Sequence, residues 1–185
     1  FPDLGTFNLV NLELNGLTSI DKDVAQELAK FEGDLHLDGL TSIDKDVAQE
    51  LAKVKRGSLY LNGLTSIDKD VAQALMKVEV FSLYLNGLTS IDKDVAQELA
   101  KADWVSLDGL TSIDKDVAQE LAKAGWVSLD GLTSIDKDVA QELAKSEGSE
   151  MKLGLTSIDK DVAQELAEFN GHLFLFHLTS IDKGG

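Results

Sequence analysis

The histidines are the first residues to consider for chemistry, because histidine is the commonest general acid or base in enzymes. The chain has three of them, His36, His172 and His177. None has a serine and an aspartate at the spacing of a hydrolase motif, and no GxSxG, HExxH or P-loop pattern occurs. The chain also lacks cysteine, which excludes thiolate nucleophiles, disulfides and thiolate metal sites. The sequence therefore predicts a protein that is not an enzyme and that uses no cofactor.

Aspartates recur at one position of a repeated DKD triplet and could form a column of carboxylates. They are Asp21, Asp44, Asp68, Asp92, Asp114, Asp136 and Asp159. Clustered oxygen ligands suit Ca²⁺. Each of these aspartates also precedes a short helical pattern, where a carboxylate accepts backbone N–H groups as an N-cap. The N-cap interpretation is favoured, and calcium binding stays open as a minor alternative.

Threonines form a second repeated column. They are Thr18, Thr41, Thr65, Thr89, Thr111, Thr133, Thr156 and Thr179, each followed by a serine. Flat rows of threonine bind ice in some solenoid proteins, so ice binding is another minor alternative. The simpler interpretation is that these hydroxyls bond to backbone groups of a turn.

The aromatic side chains fall in the short stretches between the copies, where the sequence changes from unit to unit. The predicted ligand-binding residues are Asp34, His36, Tyr60, Tyr84, Trp104, Ser106, Trp126, Ser128 and Phe174. On one face they would form an aromatic patch with an acidic rim of Asp34, Asp38, Asp108 and Asp130. Tyrosine and tryptophan are enriched at binding hot spots, because they supply large rigid surface and a polar group. The alternative is cross-strand packing that only stabilises the sheet.

The elements that must position these residues come from an internal repeat. LTSIDKDVAQELA stands at 17–29 and recurs unchanged at 40–52, 88–100, 110–122, 132–144 and 155–167. The period of 22–24 residues is typical of a solenoid. Before each copy, segments such as LELNG (12–16) and LYLNG (59–63) alternate apolar and polar residues, which predicts a short strand. A glycine then turns the chain out of the strand.

The second half of each unit, DKDVAQELAK, predicts a short helix. In the first copy, Val24, Ala25, Leu28 and Ala29 form an apolar stripe. The polar positions Lys22, Gln26, Glu27 and Lys30 are predicted to face solvent. Such a helix is too short to be stable alone and must stack on its neighbours.

This pattern of strand, turn and short helix resembles the leucine-rich repeat family. The LxLxxL strand segments carry the resemblance, and the LTSI block with its helix is closer to the bacterial BspA-like and treponemal type. The resemblance implies an α/β solenoid, a leucine-rich repeat with a parallel β-sheet on the concave face and short helices on the convex face. Leucines such as Leu17 and Leu40 stand where the commonest form of the repeat has an asparagine ladder. Ligands of this family commonly bind the concave face.

The chain is predicted to have two parts: residues 1–10 form an N-terminal flank or cap, and residues 11–185 form a solenoid of about eight units. The seventh unit, SEMKLGLTS, is one residue out of step. The last unit is incomplete and places Phe176 and His177 at a polar position and at the glycine position. It therefore predicts either a longer parent chain or a partner that covers Phe174 and Phe176. The first residue, Phe1, predicts a processed form or a fragment.

The charge and hydropathy of the chain exclude some classes of partner. The 185 residues carry a formal net charge of −16. Such a surface repels the phosphates of nucleic acid and of anionic lipids. No apolar run reaches the roughly 20 residues of a membrane helix, so no membrane insertion is predicted. The predicted partner is a protein or glycan on the concave face. End-to-end self-association into a fibre or surface layer is the alternative, and the family resemblance favours an extracellular or cell-surface location in a bacterium.

Overall fold

The computed structural model describes residues 11–77 and 82–182. The predicted cap at 1–10 lies outside the described residues, as do 78–81 and 183–185. The strands are β1 (Asn11–Glu13), β2 (Asp34–His36), β3 (Ser58–Tyr60), β4 (Ser82–Tyr84), β5 (Val105–Ser106), β6 (Trp126–Leu129), β7 (Glu150–Leu153), β8 (Ser157–Asp159), β9 (His172–Phe174) and β10 (Ser180–Asp182). The helices are α1 (Lys22–Leu28), α2 (Lys45–Leu51), α3 (Lys69–Leu75), α4 (Lys93–Leu99), α5 (Lys115–Leu121), α6 (Lys137–Ala144) and α7 (Lys160–Leu166).

One strand from each repeat joins a single open sheet. Its order is β1-β2-β3-β4-β5-β6-β7-β9, and all neighbouring pairs are parallel. A helix connects each strand to the next, and consecutive helices pack on each other. The predicted α/β solenoid is therefore confirmed, with the architecture of a leucine-rich repeat. None of the helices in residues 11–77 and 82–182 is long and apolar enough to cross a membrane.

The core lies between the sheet and the helices and is formed by apolar residues at equivalent positions of each interior repeat. In the second repeat, Leu35, Leu37 and Leu40 are fully buried. From the helix, Ala48 and Leu51 are fully buried against them. The small alanine side chain lets the helix lie close to the leucine layer. Burial of each such leucine contributes about 1.5–3 kcal/mol, which a helix of seven residues needs in order to persist.

The predicted N-caps are present on every described helix. Asp44 Oδ1 accepts a hydrogen bond from the Val47 N–H at 2.8 Å, and the other six helices repeat this bond at 2.8–2.9 Å. Each bond satisfies a backbone donor that has no partner inside the helix. The aspartate column thus has a structural role in every repeat.

The glutamate of the helix differs from the sequence prediction. Glu27 in the first copy is exposed, as predicted, but the equivalent Glu50, Glu98, Glu120 and Glu142 are only 5–6% exposed. Each is paired with the lysine three residues later, such as Lys145 with Glu142 at 2.9 Å. The preceding repeat covers the carboxylate, as where Lys115 of α5 lies 3.7 Å from Glu142 of α6, and helical periodicity within one copy could not reveal this.

In the second to sixth repeats, the glycine after the strand is required by contact between repeats. A Cβ on Gly63 would lie 2.1 Å from the Asp38 carbonyl oxygen, and Gly39, Gly87, Gly109 and Gly131 are equally crowded. Their φ angles are not in the left-handed region. These glycines do lie at the turn, as predicted. The physical reason for glycine there is close packing on the preceding repeat.

The seventh repeat pairs in register despite its altered sequence. Trp126 to Leu129 of β6 align with Glu150 to Leu153 of β7. The repeat has a single Gly154 between Leu153 and Leu155, where other repeats have two residues. Beyond this shortened turn, the following segment forms β8, which pairs in parallel with β10 in a second, two-stranded sheet.

Candidate functional site

The open face of the sheet is the side that points away from the helices, and each of the first six repeats places three side chains on it. The register arranges them in three rows across the sheet. The first row is Asn11, Asp34, Ser58, Ser82, Trp104, Trp126, Glu150 and His172. The second row is Glu13, His36, Tyr60, Tyr84, Ser106, Ser128, Lys152 and Phe174. The third row is Asn15, Asp38, Asn62, Asn86, Asp108 and Asp130. The fully buried leucines alternate with these positions, which is the two-residue period expected of strands.

Five rings on this face form a continuous aromatic ladder, which we define as His36, Tyr60, Tyr84, Trp104 and Trp126. Successive ring centroids are 3.9, 4.2, 4.7 and 4.4 Å apart. Three of the four contacts are stacked within 10° of parallel. The ring faces therefore cover each other, and the ring edges are what a partner can reach.

The aromatic ladder changes rows between β4 and β5. Tyr84 belongs to the second row and Trp104 to the first, so their contact is diagonal and the rings are tilted by 57°. The residue in register with Tyr84 is Ser106. Each repeat from β3 to β6 thus places one large ring and one serine on this face. The serine is in the first row at β3 and β4 and in the second row at β5 and β6.

The second-row serines that follow this change of rows are buried. Ser106 and Ser128 are only 2% exposed. The Ser106 hydroxyl donates to Asn86 Oδ1 at 2.7 Å or to Asp108 Oδ2 at 3.0 Å, and the Ser128 hydroxyl donates to Asp108 Oδ1 at 2.5 Å. Their burial argues against the prediction that they contact a ligand. They hold the Asp108 carboxylate instead.

The third row is a ladder of side-chain oxygens that the sequence interpretation missed. Asn15 Oδ1 accepts from the backbone N–H of Asp38 at 3.1 Å, and Asp38 accepts from Asn62 at 2.9 Å. The same bond links Asn62 to Asn86, Asn86 to Asp108 and Asp108 to Asp130 at 2.9–3.0 Å. The asparagine ladder thus exists, and it lies two residues before the leucines at which the sequence comparison had placed it. The recurring Asn-Gly or Asp-Gly dipeptide was the available signal.

This ladder ends at Asp130, because the shortened turn of the seventh repeat supplies no equivalent residue. Lys152 Nζ lies 2.8 Å from Asp130 Oδ2, and His177 Nε2 lies 3.4 Å from the same carboxylate. Burial alone would raise the pKa of Asp130. The hydrogen bonds and positive charge of Lys152 and His177 outweigh burial and lower this pKa below its ordinary value.

The first-row residues at either end of the ladder are also held by hydrogen bonds. Asp34 Oδ1 accepts from the Ser58 N–H at 2.7 Å. The Trp126 indole N–H donates to Glu150 Oε2 at 2.9 Å, and His172 Nδ1 lies 3.5 Å from Glu150.

Between these ends, burial raises the pKa of Tyr60 to about 12, with further contributions from its hydrogen bond to Tyr84 and from the charge of Asp34. Tyr60 is therefore a neutral donor or acceptor at physiological pH.

Phe174 lies apart from the aromatic ladder. It stacks on Phe176 with centroids 5.4 Å apart and lies 6.5 Å from the His172 ring. Its second-row neighbour is Lys152, which separates it from the ladder. Of the predicted site residues, the structure thus brings Asp34, His36, both tyrosines and both tryptophans together, and places Phe174 in a separate aromatic group.

Charge is distributed unequally between the two sides of the solenoid. On the helix side, lysines pair with aspartates of the next repeat, as in Lys45 with Asp70 at 3.3 Å and Lys69 with Asp94 at 3.4 Å. On the open face the ionised residues are mostly carboxylates. Within residues 11–77 and 82–182, Lys152 is the one lysine or arginine in the three rows, and it is paired with Asp130.

The two alternative columns lie away from the open face. The threonines are exposed, and Thr156 and Thr179 donate their hydroxyls to backbone carbonyls of the preceding repeat at 3.4 and 3.0 Å. This agrees with the turn interpretation for those two residues. The aspartates cap helices as described above, and the described part of the chain contains no group of three or more His, Cys, Asp or Glu side chains arranged to hold a metal ion.

Comparisons with known proteins give little beyond the fold. No family model matches the chain, and no curated protein matches it. Among solved structures, the chain is similar to an internalin from Listeria monocytogenes, at 15% sequence identity and a TM-score of 0.44. The match covers 95% of this chain and 67% of the internalin chain. A likeness of this size carries no information about ligands.

Proposed function

We propose that this chain is a non-enzymatic binding scaffold that docks a protein partner on the open face of its sheet. The observation that carries the proposal is the aromatic ladder, which crosses five strands without interruption beside carboxylates. Aromatic residues with polar groups at their edges are the residue types that most often carry binding energy at protein interfaces.

A protein partner fits this surface better than a glycan. Sugar rings bind aromatic side chains by lying on a ring face, as cations do. In the aromatic ladder the faces of Tyr60 and Trp104 are covered by their neighbours. The exposed edges and hydroxyl groups suit the mixed apolar and polar contacts of a protein surface. A glycan array that gives specific binding would reverse this preference.

The test separates binding from folding. Trp104→Ala with Trp126→Ala should reduce affinity for a captured and purified partner by at least 30-fold, since hot-spot residues contribute about 2 kcal/mol or more. The matched control is Gln97→Ala on the exposed side of α4, which should leave affinity unchanged. Unchanged affinity in the tryptophan variant, with an intact circular dichroism spectrum, would remove the aromatic ladder as the binding site.

Self-association is the second candidate function. Phe176 is 70% exposed and Ile181 is 59% exposed in the last described repeat. Large apolar side chains at such exposure favour contact with another surface. Ile181→Lys should then lower the concentration-dependent mass measured by light scattering, and a mass that stays at 20.0 kDa at all concentrations argues against this candidate.

Subclass, location and chain organisation are also proposals. We propose a repeat of the bacterial BspA-like and treponemal type, acting outside the cell or at its surface, with residues 1–10 as a cap and 11–185 as the solenoid. The LTSI block followed by a short helix supports the subclass. Labelling of intact source cells with an antibody would test the location, and deletion of residues 1–10 should lower the unfolding temperature if they cap the core.

A further inference from the structure

The carboxylates of the open face are not spread evenly but lie at the two ends of the aromatic ladder. The N-terminal group, around His36, is Glu13, Asp34 and Asp38. The C-terminal group, around Trp126, is Asp108, Asp130 and Glu150. Between them, β3 and β4 with their third-row residues place serine, tyrosine and asparagine on this face. The open face is therefore acidic at both ends and neutral in the middle.

Most of these carboxylates have no lysine or arginine beside them. Asp34 and Asp108 accept hydrogen bonds from backbone N–H groups and hydroxyls, and Glu150 accepts one from an indole. Neutral donors fix the carboxylates in place but do not cancel their charge. Asp130 is the exception, because Lys152 lies 2.8 Å away.

A partner that covers the ladder must compensate this charge. Burying a carboxylate under a neutral or acidic surface costs free energy, because its hydration is lost and nothing replaces it. Cationic side chains would restore the interaction, and arginine suits it best because its planar fork can donate two hydrogen bonds to one carboxylate.

The distance between the acidic ends sets the spacing of the cations. Asp34 lies on β2 and Glu150 on β7, five strand positions away. Adjacent strands are about 4.8 Å apart, so the two ends are separated by about 24 Å. An extended chain rises about 3.4 Å per residue, which corresponds to about seven residues.

We propose that the open face recognises a protein segment with arginine or lysine at both ends of a neutral stretch of about six residues, the stretch lying along the aromatic ladder. This rests on the proposed function and specifies its partner. The neutral centre packs on the ring edges of Tyr60, Tyr84 and Trp104, and the cationic ends meet the two acidic groups.

Three synthetic peptides of equal length test the spacing. One has an arginine pair at each end of a six-residue Gly/Ser/Tyr stretch, the second has the same residues with all four arginines in the centre, and the third has glutamine in place of arginine. Isothermal titration with the intact protein should give at least tenfold tighter binding for the spaced peptide than for the clustered one. It should give no measurable binding for the glutamine peptide. Equal binding of the two arginine peptides would mean unspecific attraction to an acidic protein and would overturn the proposal.

Charge-neutral variants test the two ends. Asp38→Asn keeps the oxygen that accepts from the Asn62 N–H, as the chain itself does with Asn62, and Glu150→Gln keeps an acceptor for the Trp126 indole. Each should weaken the spaced peptide about fivefold. The control Asp94→Asn removes the same charge on the helix side and should have no effect. Equal weakening by all three variants would show that only net charge matters, and the proposal would fall.

The outcomes also separate this inference from the proposed function. Loss of a natural partner in the tryptophan variant, together with no loss in Asp38→Asn or Glu150→Gln, would keep the open face as the binding site and reject the basic partner. Loss in the charge variants but not in the tryptophan variant would keep binding on the open face but reject docking along the aromatic ladder, and with it the partner proposed here.

Discussion

The two sides of the solenoid follow opposite rules. On the helix side, almost the same residues recur in each repeat, and most lysines pair with a carboxylate of their own or the next repeat. On the open face, the residues change from strand to strand, yet they still contact their equivalents on the next strand. The comparison teaches that stacking alone does not demand identity: neighbours need only be compatible. The helix side is uniform because capping, close packing and ion pairing each accept few residue types.

Internal contacts on the open face show what a partner could use. The asparagine and aspartate ladder occupies its oxygens with backbone donors, and the rings occupy their faces with one another. What stays accessible is the ring edges and the carboxylates at the ends. A function on this face must therefore use ring edges and charge, whereas most lysines of the helix side are already paired with carboxylates.

The largest expected effect on stability comes from the buried leucine layer between the sheet and the helices. Leu61→Ala removes a fully buried side chain between β3 and the helices. We expect the free energy of unfolding to fall by about 2–5 kcal/mol, because the cavity cannot collapse in a stacked solenoid. Denaturation in urea measures this. A loss below about 1 kcal/mol would show that the repeats adjust to cavities more freely than the packing suggests.

The ladder of the third row should have a smaller but distinct effect. Asn62→Ala leaves the backbone N–H of Asn86 without its acceptor, which lies 3.0 Å away in the native chain. We expect a loss of about 1–3 kcal/mol in the free energy of unfolding, the cost of an unsatisfied buried donor. Asn62→Asp is the control, since Asp108 fills the equivalent position, and it should retain most of the stability.

One N-cap should contribute about as much as a single ladder bond or less. Asp92→Ala removes the acceptor of the Val95 N–H at 2.9 Å, and we expect a loss of about 0.5–2 kcal/mol. Asp92→Asn preserves the acceptor, so its free energy of unfolding should fall by only a small part of this amount. If both variants are equally destabilised, the charge of the aspartate, and not its cap bond, is what stabilises α4.

The smallest effect concerns the buried glutamates of the helix side. The hydrogen bond from Lys145 lowers the pKa of Glu142, outweighing the opposing effect of burial. A carboxylate whose pKa is lower in the folded than in the unfolded state stabilises the protein above its unfolded pKa. That stabilisation is lost as pH falls through the folded value. Lys145→Met should therefore raise the pKa of Glu142 and shift its NMR titration to higher pH. An unchanged titration would assign the lowering to Lys115, whose Nζ lies 3.7 Å from Glu142.

The sequence predicted the parts of this molecule that depend on one repeat and missed those that depend on two. Strand alternation, the N-cap aspartates and the inward leucines are local patterns, and they identified the solenoid and its open face. The burial of Glu98 and the bond from Asn62 to Asn86 arise only from contact between neighbouring repeats. The row change from Tyr84 to Trp104, and with it the burial of Ser106, likewise follows from the register between strands. These contacts decide which predicted site residues a partner can reach.

The most direct test of the open face uses the tryptophans already present. The chain has two, Trp104 and Trp126, and both lie in the aromatic ladder. With a partner that lacks tryptophan, intrinsic fluorescence therefore reports on this face alone, without labels or substitutions. If a partner docks there, saturation with that partner should shift the emission to shorter wavelength and reduce quenching by acrylamide severalfold. Saturating binding that leaves both emission and quenching unchanged would place the partner elsewhere and contradict the account.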